Sequence, residues 1–371
     1  DSIATRVNKQ GLIEVVGKDK LRIDYTDSSN GVALLEPART NILPYSTLAF
    51  NGDVKPTGWS IGFGTGTYSH QEVTYKGQFA VKHTQITTGR SYLDTGTLTL
   101  TAGTTYTFSM QVDLDNTNLN PSDEIISFIG FTNNVVKTFS DLDANGYLEF
   151  QFESGADNTG NIRIGLGVNG NMEGGKIITW SMPQLEAGSY PTSYIPTSGS
   201  TVEREADVAN GAGNEQVFND SEGVLFANIA SLSDTVSTYN SIGVGSGSTD
   251  NRIGLGFEPS SNIYVFKRTT ASWITSTTKN IKLYNKIALS YNTNDNHFWL
   301  NGFKIASNTT IGDISQPNEL GFEASYGLEQ FYGKTKEIGV YDAVLTDAEL
   351  EALTSYTSFT NMANELNLTI K

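Results

Sequence analysis

The 371 residues read as an all-β protein: two antiparallel β-sandwich (jelly-roll) domains in tandem, with an N-terminal extended arm and a short C-terminal helix. Three observations carry this reading. Short segments that alternate apolar with polar or small residues run through most of the chain, and none reads as a long amphipathic helix. Six Asn-Gly pairs, at Asn30, Asn51, Asn145, Asn169, Asn210 and Asn301, are hairpin signals, because both turn positions of the tightest hairpins want positive φ. The stretch from Pro183 to Thr197, continuing to Asp207, holds three of the nine prolines. Its Gly, Ser and Thr content is not expected to sustain a helix or a central strand, so it marks a seam between two domains.

In chain order, residues 1–40 form an arm with two short strands, Leu12 to Val16 and Leu21 to Tyr25, joined by a turn at Gly17-Lys18-Asp19-Lys20. An arm this small buries no core of its own and is expected to lie on the first sandwich or on a neighbouring subunit. The first sandwich spans 41–195, with strands at Thr105 to Val112, Ile125 to Phe131, Tyr147 to Phe152, Asn161 to Val168 and Lys176 to Met182. Residues 196–210 are a linker, expected to pack against the arm. The second sandwich spans 211–355, with strands at Gly223 to Ala230, Tyr239 to Gly245, Arg252 to Phe257, Ile263 to Phe266, Lys286 to Tyr291, His297 to Leu300, Phe303 to Ala306 and Thr335 to Tyr341. Thr346-Asp347-Ala348-Glu349 is a capping box that starts a helix, with Leu350 and Leu353 as its apolar stripe. In the tail, 356–371, Phe359, Met362 and Leu366 recur at helical spacing.

Composition narrows the function. Forty acidic residues against 24 basic ones give a net charge of -16, which opposes binding to nucleic acid or to an anionic membrane through bulk electrostatics. No apolar run reaches the 18 or so residues of a membrane helix. Cysteine is absent, which excludes disulfides and thiolate metal sites. Charged residues are only 17% of the chain, so Ser, Thr, Asn and Gly supply the polar surface, as in many β-rich extracellular and virion proteins. The chain starts at Asp1 without an initiator Met or a signal-like apolar run and is read as a processed product or a fragment.

Several stretches resemble known families. Glu222 to Ala227, Asn285 to Tyr291, His297 to Gly302 and Gly333 to Leu350 resemble a concanavalin A-like (laminin G-like) jelly roll, whose last strand is followed by a short capped helix. Asn41 to Phe50 with Gly58-Trp59, and Ile177 to Leu185, resemble the opening and final strands of carbohydrate-binding modules of the galactose-binding-like type. The arm segments Ala4 to Asn8, Gly11 to Glu14 and Leu34 to Asn41, together with Pro183 to Asp207, are similar to segments of bacteriophage tail-fibre-like and other virion structural proteins. This last resemblance implies a non-catalytic virion surface protein, of tail-fibre, head-fibre or receptor-binding type, that adheres to host or environmental glycans beside other virion proteins. It also implies a homo-oligomer, with a trimer as the expected form. A secreted polysaccharide-active enzyme or its carbohydrate-binding appendage is the alternative; a purely structural virion decoration protein is the second.

Both sandwich types also occur in enzymes, so catalytic signatures have to be sought directly. The Glu-x-Asp-x-(x)-Glu strand that lets two carboxylates work on one glycosidic bond is missing, as are the active strands of alginate-lyase jelly rolls and a G-x-S-x-G elbow. The three histidines, His70, His83 and His297, read as ordinary strand residues. Asp141, Asp143 and Asn145 match the first half of a calcium loop, but position 12 is Phe152 rather than Glu, and a hairpin turn is the competing reading. No cofactor is required; because both resembled sandwich families often carry structural Ca²⁺, the resemblance leaves room for one.

Binding chemistry has clearer candidates. Sugars stack their C–H faces on aromatic rings while their hydroxyls need hydrogen-bonding groups. Strand parity turns Phe298 and Leu300 inward and sets His297 and Trp299 on the opposite face, where Arg252, Tyr264 and Trp273 could join them. In the first domain the candidates are Trp59, Tyr68, Tyr75 and Tyr92. An apolar-Gly alternation recurs at Ile61-Gly62-Phe63-Gly64, Ile164-Gly165-Leu166-Gly167, Ile242-Gly243-Val244-Gly245 and Ile253-Gly254-Leu255-Gly256. With period two, the glycines bare one face of a sheet, which serves either as a shallow groove for a sugar or another chain, or as a floor for close packing.

Overall fold

A computed structural model describes residues 4–62, 64–131 and 134–365. It is built almost wholly of antiparallel strands and falls into two compact units: Asp1–Lys20 with Ala38–Glu205, and Leu21–Pro37 with Ala206–Lys371.

In the first unit, one sheet runs Tyr147–Glu153, Thr105–Val112, Lys176–Ala187, Gln78–Gln85, Tyr68–Tyr75. Facing it is the sheet Val135–Thr138, Glu124–Phe131, Asn158–Leu166, Ser91–Asp94, Ser60–Ile61, with Leu98–Thr99 added on Asn158–Leu166. Between them lies an aromatic core in which Trp180 meets Trp59 edge-on at 5.4 Å and Phe108 meets Phe128 at 5.5 Å. His83 is also fully buried here. It accepts from Trp180 Nε1–H at 2.9 Å and so donates from Nδ1 to the Ser91 carbonyl at 2.7 Å, the neutral tautomer.

The second unit places the sheet Ser272–Thr277, Ile263–Arg268, Arg252–Phe257, Asn240–Gly245, Glu319–Gly321 against a seven-stranded one. The latter runs Phe303–Asn308, Asn296–Leu300, Asn285–Tyr291, Gly223–Ser231, Gly333–Tyr341, Val32–Leu35, Ile23–Asp24. Leu225, Ile229, Val244, Leu255, Val265 and Phe298 are among the side chains that fill the space between.

The arm expected over 1–40 is therefore not one element. Ile13–Val16 pairs with Ala4–Val7 rather than with Leu21 to Tyr25, because Asn8 takes the Gln10 and Leu12 amides on its side chain and Gly11 turns the chain at φ +77°. Ile23–Asp24 pairs instead with Val32–Leu35 and completes a sheet of the second unit. Buried Arg22 there donates to Glu36 at 2.7 Å and also bonds Asp207.

The seam is also corrected. Its first residues continue a central strand: Lys176–Ala187 runs five residues past the expected end at Met182. A bulge lets Pro183 in, since Met182 takes φ +54° and the register against Thr105–Val112 shifts there. Nor are residues 196–204 a free linker, for Val202–Arg204 pairs with Arg39–Asn41. Thr197 is buried and bonds the Leu43 carbonyl at 2.6 Å and Ser46 Oγ at 2.9 Å, and Thr5 Oγ1 of the arm donates to the Tyr194 carbonyl at 2.6 Å.

Of the Asn-Gly pairs, only Asn51-Gly52 and Asn301-Gly302 have both residues at positive φ, and only the latter joins two adjacent strands. The capped helix forms as Asp347–Thr354, with Thr346 and Glu349 exchanging bonds. A second helix, Phe359–Glu365, follows; Leu366 lies outside the described residues.

Two predictions follow from buried polar groups. Asn41 donates to the Ile195 carbonyl at 2.8 Å and accepts the Leu43 and Leu185 amides at 3.2 Å each. Asn41→Leu strands those backbone groups and is expected to cost about 2–4 kcal/mol in urea unfolding, given ~1–3 kcal/mol per buried unsatisfied group.

Burial, and then the neighbouring His70, push the His83 pKa well below 6.5. The unfolded chain therefore binds the proton first, so stability present above pH 6.5 is lost as pH falls below that value. The urea midpoint should fall between pH 7 and pH 5, with a slope of up to about 1.4 kcal/mol per pH unit for this proton. His83→Gln should flatten that dependence.

Candidate functional site

The four aromatic candidates of the first unit do not share an open face. Trp59 is 2% exposed and belongs to the core, its Nε1–H donating to the Tyr45 carbonyl at 2.8 Å. Tyr92 is buried with the Arg163 guanidinium 4.9 Å and that of Arg90 5.4 Å from its ring, and Gly62 packs on the ring. Tyr68 is half-buried against His70 at 5.3 Å and against Gly64. Tyr75 stands apart beside Lys76; burial first, then Asp113 and Asp115, raise its pKa. Trp59 and Tyr92 are thus corrected to packing residues, because the cover over each leaves no ring face for a sugar.

The calcium candidates are engaged in turns. Asp141 accepts from the Thr138 amide at 2.7 Å and sits 3.3 Å from Lys137 Nζ, while Asp143 accepts the Asn145 and Tyr147 amides at 2.8 Å. Among the described residues no group of three or more His, Asp or Glu could hold a metal ion.

In the second unit, Trp299 does lie on the opposite face from Phe298, but the face is covered. The helix Asp347–Thr354 brings Leu350 and Leu353 onto Trp299, Val224, Phe226 and Ala288. His297 keeps the expected side and bonds Asp295 at 3.1 Å and Ser307 at 2.9 Å. Trp273 sits on an edge strand and packs toward the core between the sheets, so it does not join them.

Arg252 and Tyr264 do come together, on the outer face of the five-stranded sheet. Register puts Ser241, Gly256 and Tyr264 in one row, Gly243, Gly254 and Phe266 in the next, and Gly245, Arg252 and Arg268 in a third. The glycine alternation in Asn240–Gly245 and Arg252–Phe257 is the floor of this face. It is not an open groove. Residues 323–325 lie directly on it: a Cβ at Gly243 would meet the Glu323 carbonyl oxygen at 2.8 Å, and one at Gly245 the Ser325 Oγ at 2.6 Å.

Segment 323–329 delivers groups that sequence reading missed. The Arg252 guanidinium lies between two rings, 4.2 Å from that of Tyr326 and 4.9 Å from that of Phe266, and donates to the carbonyls of Ala324 at 2.7 Å and Thr249 at 2.8 Å. Tyr326 donates to Glu329 at 2.8 Å; Ser241 bonds the Tyr264 hydroxyl and reaches Glu329 at 3.4 Å. Tyr239 packs on Tyr264 at 5.1 Å. Burial, and then Arg268, lower the Arg252 pKa; burial, and then the Glu329 bond, raise that of Tyr326. Tyr239, Tyr326 and Glu329 remain half-exposed, with Leu328 60% exposed beside them. The surface offers ring faces, a carboxylate and hydroxyls on a rigid support. Its sequence signals were the glycine floor and the candidates Arg252 and Tyr264, whereas Tyr326 and Glu329 sit on a segment with no periodicity.

No family model matches the chain, and no curated protein matches its sequence. Among solved structures it is similar to the Ruminococcus gnavus IT-sialidase CBM40, also solved bound to α2,3 and α2,6 sialyllactose: 18% identity, TM-score 0.34, covering 40% of this chain and 95% of that one. The likeness covers two fifths of this chain. It extends to domain 4 of AbnA, a GH43 extracellular arabinanase from Geobacillus stearothermophilus, in complex with arabinotriose (14% identity, TM-score 0.32, 43% of this chain and 74% of that). A heptameric SAP-like pentraxin from Limulus polyphemus matches at 10% identity and TM-score 0.33, covering 41% of this chain and 77% of that.

If the glycine floor seats segment 323–329, Gly243→Val should lift it. Hydrogen exchange at the Ala324 and Phe331 amides, which bond Leu328 and Phe322, is expected to speed up at least about tenfold, a local loss of ~1.4 kcal/mol.

Proposed function

We propose that the protein is a non-catalytic glycan-binding protein whose contact surface is the Arg252–Tyr326–Glu329 face of the second unit. The observation that carries this is Arg252 held between Phe266 and Tyr326 while half-exposed Glu329, bonded to Tyr326, stands beside it with hydrogen-bonding capacity. A sugar ring needs an apolar ring to stack on and fixed polar groups at its rim, and here both are pre-positioned by segment 323–329 where it rests on the sheet. The side chains do not have to be ordered when a ligand arrives, which lowers the cost of binding.

The natural setting of such a surface is a carbohydrate-binding appendage outside the cell, beside a polysaccharide-active enzyme. A specific observation favours a second setting, the surface of a phage virion. The arm and seam segments that resemble virion proteins are far apart in sequence, yet in the first unit they bond to one another through Thr5 and Tyr194 and through the Arg39–Asn41 and Val202–Arg204 pair. A trimer by sedimentation equilibrium is the expected form in that setting, and a strict monomer would argue for the appendage.

A glycan array that includes sialyllactose and arabinotriose tests the site. Tyr326→Ala is expected to weaken binding of the retained glycan at least about tenfold, ~1.4 kcal/mol, with the β fold retained by circular dichroism. Reducing ends should stay at background over a polysaccharide panel; turnover would contradict the non-catalytic reading.

A further inference from the structure

The first unit contains a cleft that the face on the second unit does not use. It measures about 260 Å³ and is lined by Ala38, Arg39, Thr40, Ile42, Ala187 and Glu203. At ~30 Å³ per water it has room for about nine waters, below the ~300 Å³ where drug-sized pockets begin. That is the scale of one sugar ring rather than an oligosaccharide.

Its chemistry is asymmetric. The strand pair Arg39–Asn41 and Val202–Arg204 sets Thr40 opposite Glu203. Arg39 rests over the Tyr190 ring at 5.2 Å and packs on the Gly188 backbone, where an added Cβ would lie 3.0 Å from Nη2. Nη1 donates to the Ala38 carbonyl at 3.2 Å, whereas the Nε–H is buried with no acceptor. That Nε–H is too deeply buried to meet a ligand, so the remaining terminal N–H groups of the guanidinium are the donors that the cleft can use. A carboxylate suits them best, because a charged acceptor bonds a guanidinium about twice as strongly as a neutral one. Exposed Glu203 and the Thr40 hydroxyl can take ligand hydroxyls, and Ala38, Ile42 and Ala187 offer an aliphatic wall to C–H groups.

We infer that this cleft is a subsite for a single carboxylate-bearing sugar, such as a uronic acid residue, with its carboxylate on Arg39 and its hydroxyls toward Thr40 and Glu203. The first unit then binds saccharide independently of the second.

The test is NMR titration of the full chain, carrying Tyr326→Ala so that the other face is silenced, with sodium glucuronate, methyl glucoside and sodium acetate. Glucuronate is expected to saturate with a dissociation constant on the order of millimolar, moving the amide signals of Thr40, Ala187 and Glu203. Methyl glucoside and acetate should each bind at least about tenfold more weakly. Ala187→Trp, at an exposed strand end, fills the cleft and should abolish the shifts; Arg39→Lys, which keeps the charge but loses the planar fork, should weaken binding at least tenfold. Absence of saturation by glucuronate, acetate binding as well as glucuronate, or shifts that survive both variants each overturn the subsite. On the glycan array the Tyr326 surface is read separately by glycans without a carboxylate, such as arabinotriose.

Discussion

The first unit closes on a hydrogen-bonded polar seam buried within it. Gln184, Glu186, Thr192, Tyr194 and Thr197 are all at or below 8% exposure, and each polar side chain has named partners. Glu186 accepts from the Thr192 amide at 2.9 Å and its hydroxyl at 2.5 Å, and Gln184 Oε1 accepts the Ile195 amide at 2.6 Å. Desolvation pushes the Tyr194 pKa up to about 12 while its hydroxyl stays 3.1 Å from Ser46 Oγ. Such a network stabilises only when fully satisfied, since each missing partner leaves a dry polar group behind. It therefore fixes where Asn41 and Ser46 sit, and with Asn41 the strand Arg39–Asn41 that lines the cleft.

The second unit reaches a comparable result by omission. Gly243 and Gly245 remove two side chains from one face, so residues 323–325 approach the sheet backbone directly, while Gly254 leaves room for the Phe266 ring. Ser325 at φ +62° and Glu329 at φ +59° take left-handed conformations that non-glycine residues rarely adopt. The segment holds them through bonds from Arg252 to Ala324 and from the Ser241 amide to the Glu329 carbonyl. A strained backbone maintained by its surroundings presents Tyr326 and Glu329 in one arrangement, as a preorganised binding surface requires.

Period-two reading worked as far as it could. It placed Trp299 opposite Phe298 and the glycines opposite Ile242 and Ile253, and both assignments hold. What it lacked was the cover. Trp299 lies under a helix about 50 residues further along, and the glycine floor lies under a segment about 80 residues further along. Arg252 and Tyr264 were named to join His297 and Trp299, but they lie on the other sheet, Arg252 on a glycine-floor strand and Tyr264 on the strand beside it. Trp59 and Tyr92 were not legible as buried, because Gly58 beside Trp59 looks alike whether it opens a face or admits a neighbour, and nothing beside Tyr92 in the chain marks Gly62 as the residue that packs on its ring.

By itself the sequence determined the all-β class, the tandem of sandwiches, the parity of side chains along the strands it marked, and the capped helix at Thr346. These depend on local rules: alternation, turn chemistry and capping act over a few residues. Tertiary structure alone decided that the arm divides between two sheets, that Pro183 sits in a central strand through a bulge, and which aromatic faces remain open. Those outcomes depend on partners distant in the chain, and neither composition nor periodicity encodes which distant segment will lie on a given face.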